Sequence, residues 1–346
     1  MLLAEVESAL FCVFHKLGSL KSTHRGQSGH KRTTHLPTGF FTHDLCHSYQ
    51  QGPDSPESPE RIDAIEDRMI AMGLSRVVTV LPSAPASMED VLRAHDKSYV
   101  QELEQASREA QRTGEKQISE DTFINALSFE AALKSAGAAI EAVRQVCAGT
   151  IRNAFACVRP PGHHAGRNFA HGFCLINSVA CAALHALDVL GLKRVAIVDF
   201  DVHRADGTED IIKGDDRIAL FSLYQETAFP FGLQPAQASN IVNAPMPEGS
   251  DGADVLKVVN DVWIPRLLMF KPDLILVSAG FDAHRDEKQA LFKLTEFDYS
   301  FMTIEVMRVA RAVCGGRLVS ILEGGYDIRS LARSAIAHIT TLTRAA

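Results

Sequence analysis

From residue 154 onward the chain alternates short apolar runs with helical stretches: AFACVR, VACAALHALDVLG, RVAIVDFD, IALFSLY, LILVSAGFD and RLVSILEGGY. Near-continuous hydrophobic strands separated by helices bury themselves best in a parallel sheet covered on both faces. The expected fold is therefore α/β, a single three-layer domain with a central, mostly parallel sheet. Each of five strand-like runs leads into polar residues: PPGHHAG, DVHRADGT, Gln225, AHRDE and GGYD. Ligands of open parallel sheets bind beyond the carboxyl ends of the strands, so these five tails are expected to converge on one site.

A chain of 346 residues, 46% hydrophobic and 22% charged, is long enough to bury one large core. Its net charge of -7 supplies no basic field for gripping phosphate backbones, which argues against direct nucleic-acid binding. The apolar runs are strand-sized, shorter than the roughly 18 to 20 residues of a membrane helix, so no span and no membrane partner are expected. The opening MLLAEVESALFCVF carries Glu5 and Glu7 where a secretory leader wants positive charge, and the seven cysteines show no CxxC or zinc-type spacing. Reduced thiols and a cytoplasmic location follow as expectations. Lys16, Lys21, Arg25, Lys31 and Arg32 lie in a stretch without acids, so residues 1–38 read as a flexible basic extension and 39–346 as the folded domain.

Local signals place the helices. QQGPDSPESPER is a loop ending at a helix start near Pro59, and Ser87 to Asp90 resembles a capping box opening one helix that runs through Tyr99 and Leu103. SFEAALKSAGAAIEAVRQVCAG reads as an amphipathic helix closed by Gly149.

The chemistry lies in the tails. Asp199, Asp201 and His203 occupy alternate positions, which on an extended strand would point one way. A lone DxH would read as a solvated turn, but Asp282 ends another apolar run with a further carboxylate. Buried unpaired carboxylates are costly, and a metal ion is the simplest partner for such a group. Two aspartates and a histidine leave open coordination positions, as catalytic sites do, and this hard ligand set also suits iron, manganese or cobalt. A single histidine is more often structural, whereas the adjacent His163 and His164 on a Pro/Gly-stiffened loop suggest acid/base work, with Asp199 and Asp206 able to orient one imidazole each. Tyr326, after Gly324 and Gly325, can donate to a developing oxyanion.

Taken together, RPPGHHAG, GFCLINS, VDFDVHRADGT, SAGFDAHRDE and LEGGYD, in this order, resemble the histone deacetylase family, including bacterial deacetylase-like amidohydrolases and acetylpolyamine amidohydrolases. The resemblance covers roughly residues 39 to 340. It implies the arginase/deacetylase fold and hydrolysis of an acetylated small molecule or an acetyl-lysine protein or peptide. It further implies Zn2+ on Asp201, His203 and Asp282, the dyads His163 with Asp199 and His164 with Asp206, and Tyr326 at the roof. Tunnel walls are implied at Phe173 and Phe229, and a substrate-gripping rim aspartate at Asp121. A structural K+ would sit among Asp199, Asp201, His203, Ser222 and Leu223, largely on backbone oxygens.

Two departures stand out. Where many members read DVHHGNGT, this chain has Arg204, Ala205 and Asp206, which puts a cation beside the metal cluster; where many read HRDDPLGGLNLT, it has HRDEKQALFKLT, with Gln289 at the tunnel mouth. Two other readings compete. An arginase-like dimanganese ureohydrolase needs more bridging carboxylates and no tandem histidines, and a non-catalytic acetyl-group binder would have lost a ligand or the tyrosine.

Overall fold

The computed structural model describes residues 36–52 and 55–344. The expected extension, up to residue 35, lies outside the described residues. Among those described, eight strands form one sheet in the order β2-β1-β5-β10-β9-β6-β7-β8, and every pairing in it is parallel. The strands are β1 (Thr38–Phe41), β2 (Thr79–Val80), β5 (Asn153–Ala156), β6 (Val195–Asp199), β7 (Ile218–Gln225), β8 (Ile241–Met246), β9 (Leu274–Ala279) and β10 (Leu318–Leu322). A separate antiparallel hairpin pairs β3 (Glu115–Gln117) with β4 (Phe123–Asn125).

The apolar runs bury both faces, as expected. In β6 and β9, Ala196, Val198, Ile275 and Val277 enter one core, with Trp263 and the helices Glu60–Ala71, Glu296–Cys314 and Ile328–Arg344. The alternate residues Val195, Ile197, Leu274 and Leu276 enter the other, under helices Lys97–Thr113, Ser128–Cys147 and Ser178–Asp188. Side chains alternate across each strand, so two cores sandwich the sheet.

Two local expectations are corrected. The helix opened by Ser87, whose hydroxyl accepts from the Asp90 amide, ends at Ala94, and a second begins at Lys97. Between them His95 is extended, its Nδ1 bonding the Gly166 carbonyl and its Nε2 accepting from the Asn177 amide, while the Asp96 amide donates to Arg167. Tertiary bonds to the loop around the tandem histidines interrupt what the capping signal starts. The second correction concerns Asp201 and His203, which lie beyond the end of β6. Their common orientation comes from successive turns: the Asp199 carboxylate accepts from the Asp201 amide, and the Asp201 carboxylate from the His203 amide.

The five polar tails follow β5, β6, β7, β9 and β10, which are contiguous in the sheet as β5-β10-β9-β6-β7. Parallel pairing puts all five carboxyl ends on one edge.

Candidate active site

Above that edge lies a cavity of about 590 Å³. His164, His203 and Tyr326 line it together with Phe173, Phe229 and Asp121, and the exposed Lys288, Gln289, Leu291 and Phe231 surround its opening. The aromatic walls are fixed by their neighbours. Phe173 has a positive φ of 65° and meets the Tyr326 ring edge-on at 5.6 Å, while Phe229 meets His164 edge-on at 4.9 Å. A positive φ costs a bulky residue strain, which surrounding contacts must hold. Here the Phe173 amide donates to Thr122, and its carbonyl accepts from the side chain of the buried Gln51.

Asp201, His203 and Asp282 are all buried, with ligand atoms within 4.8 Å of one another. Nδ1 of His203 lies 3.0 Å from Asp201 Oδ1 and 3.2 Å from Asp282 Oδ2. Backbone amides hold the other oxygens, Gly324 donating to Asp201 Oδ2 and Val202 to Asp282 Oδ1. Oδ2 of Asp282 accepts no hydrogen bond from the described residues. Space for the cluster depends on two glycines: a Cβ at Gly280 would stand 2.0 Å from Asp201 Oδ2, and one at Gly324 would stand 2.1 Å from Asp282 Oδ2. Burial opposes a charge on His203, but Asp282 and Asp201 outweigh it and push its pKa up to about 10. The cluster calls for positive charge, and a divalent cation on these three residues fits that demand and the orphaned oxygen.

The tandem histidines stand beside it, their ring centroids 4.0 Å apart. His163 Nδ1 lies 3.1 Å from Asp199 Oδ2 and its Nε2 3.7 Å from Asp201 Oδ2. Burial disfavours its charge, yet Asp201 and Asp199 raise its pKa well above the ordinary imidazole value. His164 Nδ1 lies 2.6 Å from Asp206 Oδ1, and burial, with the adjacent His163, lowers its pKa to about 3. Their surroundings thus push the two imidazoles in opposite directions, His163 toward its charged form and His164 toward its neutral one.

Tyr326 is held from two sides. Glu287 accepts from the Tyr326 and Asp327 amides, and the Arg61 guanidinium lies 5.0 Å over its ring while bonding the carbonyls of Gly325 and Glu323. Arg61 belongs to a buried ionic network. The Glu57 carboxylate takes a bond from Arg61 and two from Arg159, and Arg159 also bonds the carbonyls of Cys46, Tyr49 and Glu57. Glu323 accepts from the Gly162 and His163 amides, and burial raises its pKa to about 7.

The remaining expected residues are placed as follows. Ser222 lies opposite Asp199 in the β6/β7 ladder, its buried hydroxyl unpartnered, with Leu223 buried beside it. Asp121 reaches the cavity wall, but its carboxylate bonds the Gly172 amide, Ser119 and Thr122, so it secures the loop carrying Phe173. Gln289 lies exposed at the mouth. Arg204 donates to the Leu233 carbonyl and approaches Glu209 at 3.9 Å. Sequence reasoning assigned no role to Glu57, Arg61, Arg159, Glu287 and Glu323; the one signal for the last two was their position, Glu287 at the end of the AHRDE tail and Glu323 just before GGYD.

The Histone deacetylase domain family matches residues 55–342. The chain is 36% identical over 308 residues to "Histone deacetylase 14, chloroplastic" of Arabidopsis thaliana, covering 84% of this chain and 72% of that protein. It is 35% identical over 301 residues to a "Probable deacetylase" of Archaeoglobus fulgidus, covering 85% and 82%. To "Polyamine deacetylase HDAC10" of Mus musculus it is 34% identical over 83% of this chain and 44% of that protein. Among solved structures, the HDA15 HD domain superposes with a TM-score of 0.81 at 31% identity, covering 89% of this chain and 88% of that one. The matched span takes in all five tails that build the cavity, and the chain belongs to the histone deacetylase family, as a deacetylase-type hydrolase.

Proposed function

We propose that this protein is a zinc-dependent amidohydrolase that removes acetyl or other short acyl groups from an amine such as acetyl-lysine or an acetylpolyamine. The observation that carries the metal requirement is the buried, unpartnered Oδ2 of Asp282 beside His203 and Asp201 at the cavity floor. Zn2+ would be held by these three residues, a set that Fe2+, Mn2+ or Co2+ also fits. When bound, the cation supplies Lewis-acid polarisation of the acyl carbonyl and lowers the pKa of water toward about 7.

The protein's own groups do the rest. His164, neutral and oriented by Asp206, takes a proton from the attacking water and returns it to the departing amine. His163, kept charged by Asp199 and Asp201, stabilises negative charge as it develops. The Tyr326 hydroxyl donates to the acyl oxygen as the carbon becomes tetrahedral. Phe173 and Phe229 enclose the acyl-bearing stem. Asp199, Asp201, His203, Ser222 and Leu223 would hold a potassium ion, supported by the orphaned Ser222 hydroxyl. Among the described residues no helix is long and apolar enough to cross a membrane, and six cysteines are free, five of them buried, which supports work in a reducing compartment such as the cytoplasm.

The test is a panel of acetyl-lysine peptides, acetylpolyamines and small acylamides, ranked by kcat/KM with the metal-loaded and the chelated enzyme. Metal-dependent amine release from one class supports the reading. Metal-independent turnover, or none across the panel, overturns it.

A further inference from the structure

The Asp206 carboxylate serves two imidazoles. Its Oδ1 lies 2.6 Å from Nδ1 of His164 and its Oδ2 lies 2.7 Å from Nε2 of His171. An ionised carboxylate only accepts, so both nitrogens carry protons, and His164 in its neutral form is left with a bare Nε2. Burial alone would raise the Asp206 carboxyl; the bonds from His164 and His171 outweigh it and keep it ionised. The surroundings fix both rings. Phe229 meets His171 at 5.0 Å and His164 at 4.9 Å, and Phe169 meets His171 edge-on at 5.1 Å. Gly172, with φ of 56°, lets this loop press on His164, since a Cβ there would stand 2.4 Å from the ring.

We propose that His171 is a positioning residue for His164: by occupying the second oxygen of Asp206 it fixes that carboxylate, and through it the tautomer and direction of the imidazole that moves the proton. The inference rests on the proposed deacetylase reaction and adds a third member to the expected His164 with Asp206 dyad. Asp206 is 6% exposed, so water is a poor substitute for the missing donor if His171 is removed. Outer-shell partners of this kind typically change activity by about ten- to a hundredfold when lost.

His171→Phe keeps the ring and removes the donor, whereas His171→Gln keeps a donor. On whichever acylamide the parent enzyme hydrolyses best, His171→Phe is expected to lower kcat about tenfold or more with KM within about twofold, and His171→Gln to recover most of it. In an Asp206→Asn background, His171→Phe should add little, because its effect runs through that carboxylate. The low-field proton resonance of the His164 Nδ1–H should also shift in His171→Phe at unchanged metal content. If His171→Phe does not melt cooperatively, the comparison is made between His171→Gln and His171→Ala. An active parent whose folded donor-lacking variant keeps kcat and leaves that resonance in place overturns this inference alone. A parent inert to every acylamide overturns the deacetylase reading and this inference with it.

Discussion

Oδ2 of Asp282 lies 3.2 Å from Nδ1 of His203, and although both residues are buried this oxygen accepts no hydrogen bond from the described residues. A cation resolves that arrangement. Asp282→Ala, Asp201→Ala and His203→Ala should each lose bound metal and turnover, as elemental analysis and kinetics would show. Chelation of the parent should lower its Tm and re-addition of metal should restore it, because an ion that binds only the folded chain stabilises it by mass action. Full metal content in any of the three variants would remove that residue from the ligand set.

Tyr326→Phe should separate binding from chemistry. The Glu287 bonds go to backbone amides and the Arg61 contact is to the ring, so both survive the substitution. Metal content and melting should stay near parental while kcat falls by about 10² to 10³, the usual effect of losing one oxyanion donor. An unchanged kcat would exclude the hydroxyl from the reaction.

Glu57→Ala should be among the most destabilising single changes. It leaves the Arg61 and Arg159 side chains, both fully buried, without their shared carboxylate. Breaking a buried pair in this way typically costs about 3 to 5 kcal/mol, readable as a drop in the urea midpoint. Because Arg61 also holds the Gly325 and Glu323 carbonyls, kcat should fall with stability even though Glu57 does not line the cavity.

Acid should unfold the protein through histidines outside the catalytic machinery. Burial, with Lys134 nearby, lowers the His43 pKa to about 4; burial lowers that of His95 to about 4 and that of His338 to about 3. Each unfolded imidazole titrates near 6.5, so below that pH the unfolded chain binds more protons. Stability is whole above about pH 6.5 and declines as pH falls, by about 1.4 kcal/mol per unit for each histidine, until the folded values are reached. His338→Gln should flatten the slope by one proton between about pH 6.5 and 3. An unchanged slope would show that His338 is not among the groups responsible.

Substrate ranking should respond to Gln289 at the cavity mouth. Gln289→Leu adds apolar surface for an acyl-lysine stem and should shift kcat/KM toward peptides. Gln289→Glu offers a carboxylate to a second ammonium and should shift it toward acetylpolyamines, although the adjacent Lys288 works against it. Roughly tenfold effects are the scale for such contacts. Identical rankings in both variants would move the selectivity question to Phe231 and Leu291, the exposed apolar residues that also line the cavity.

The strands that carry the site were legible because their apolar runs are uninterrupted and their polar ends abrupt. β8 was not read, because the short IVNAPM is interrupted by Asn243 and Pro245, features that an edge strand tolerates and a central strand does not. The break at His95 was hidden because its cause lies about 70 residues away, in the Gly166 carbonyl. Metal, dyad and roof candidates could be named because their motifs are local. Glu57 and Arg159 could not be paired, since charged residues in a Pro-rich loop look solvated and their partnership spans 102 positions. His171 carried no signal of its own; only its proximity to Asp206 in space distinguishes it.

The place of β10 in the sheet has a consequence for synthesis. This strand lies between β5 and β9, pairing Val319 with Ala154 on one side and Leu276 on the other, and it delivers the Gly324 amide to Asp201 and the Glu323 carboxylate to the tandem-histidine loop. At about 5 to 20 residues per second, the ribosome makes both neighbours seconds before the strand that joins them. Until β10 emerges, β5 and β9 each present an unpaired apolar edge, the kind of surface that nascent chains join wrongly and chaperones shield. A nascent chain that has not yet reached β10 can therefore pair β9 with β6 and gather Asp201, His203 and Asp282, but it lacks the strand that joins β5, and the tandem-histidine loop after it, to that half of the sheet.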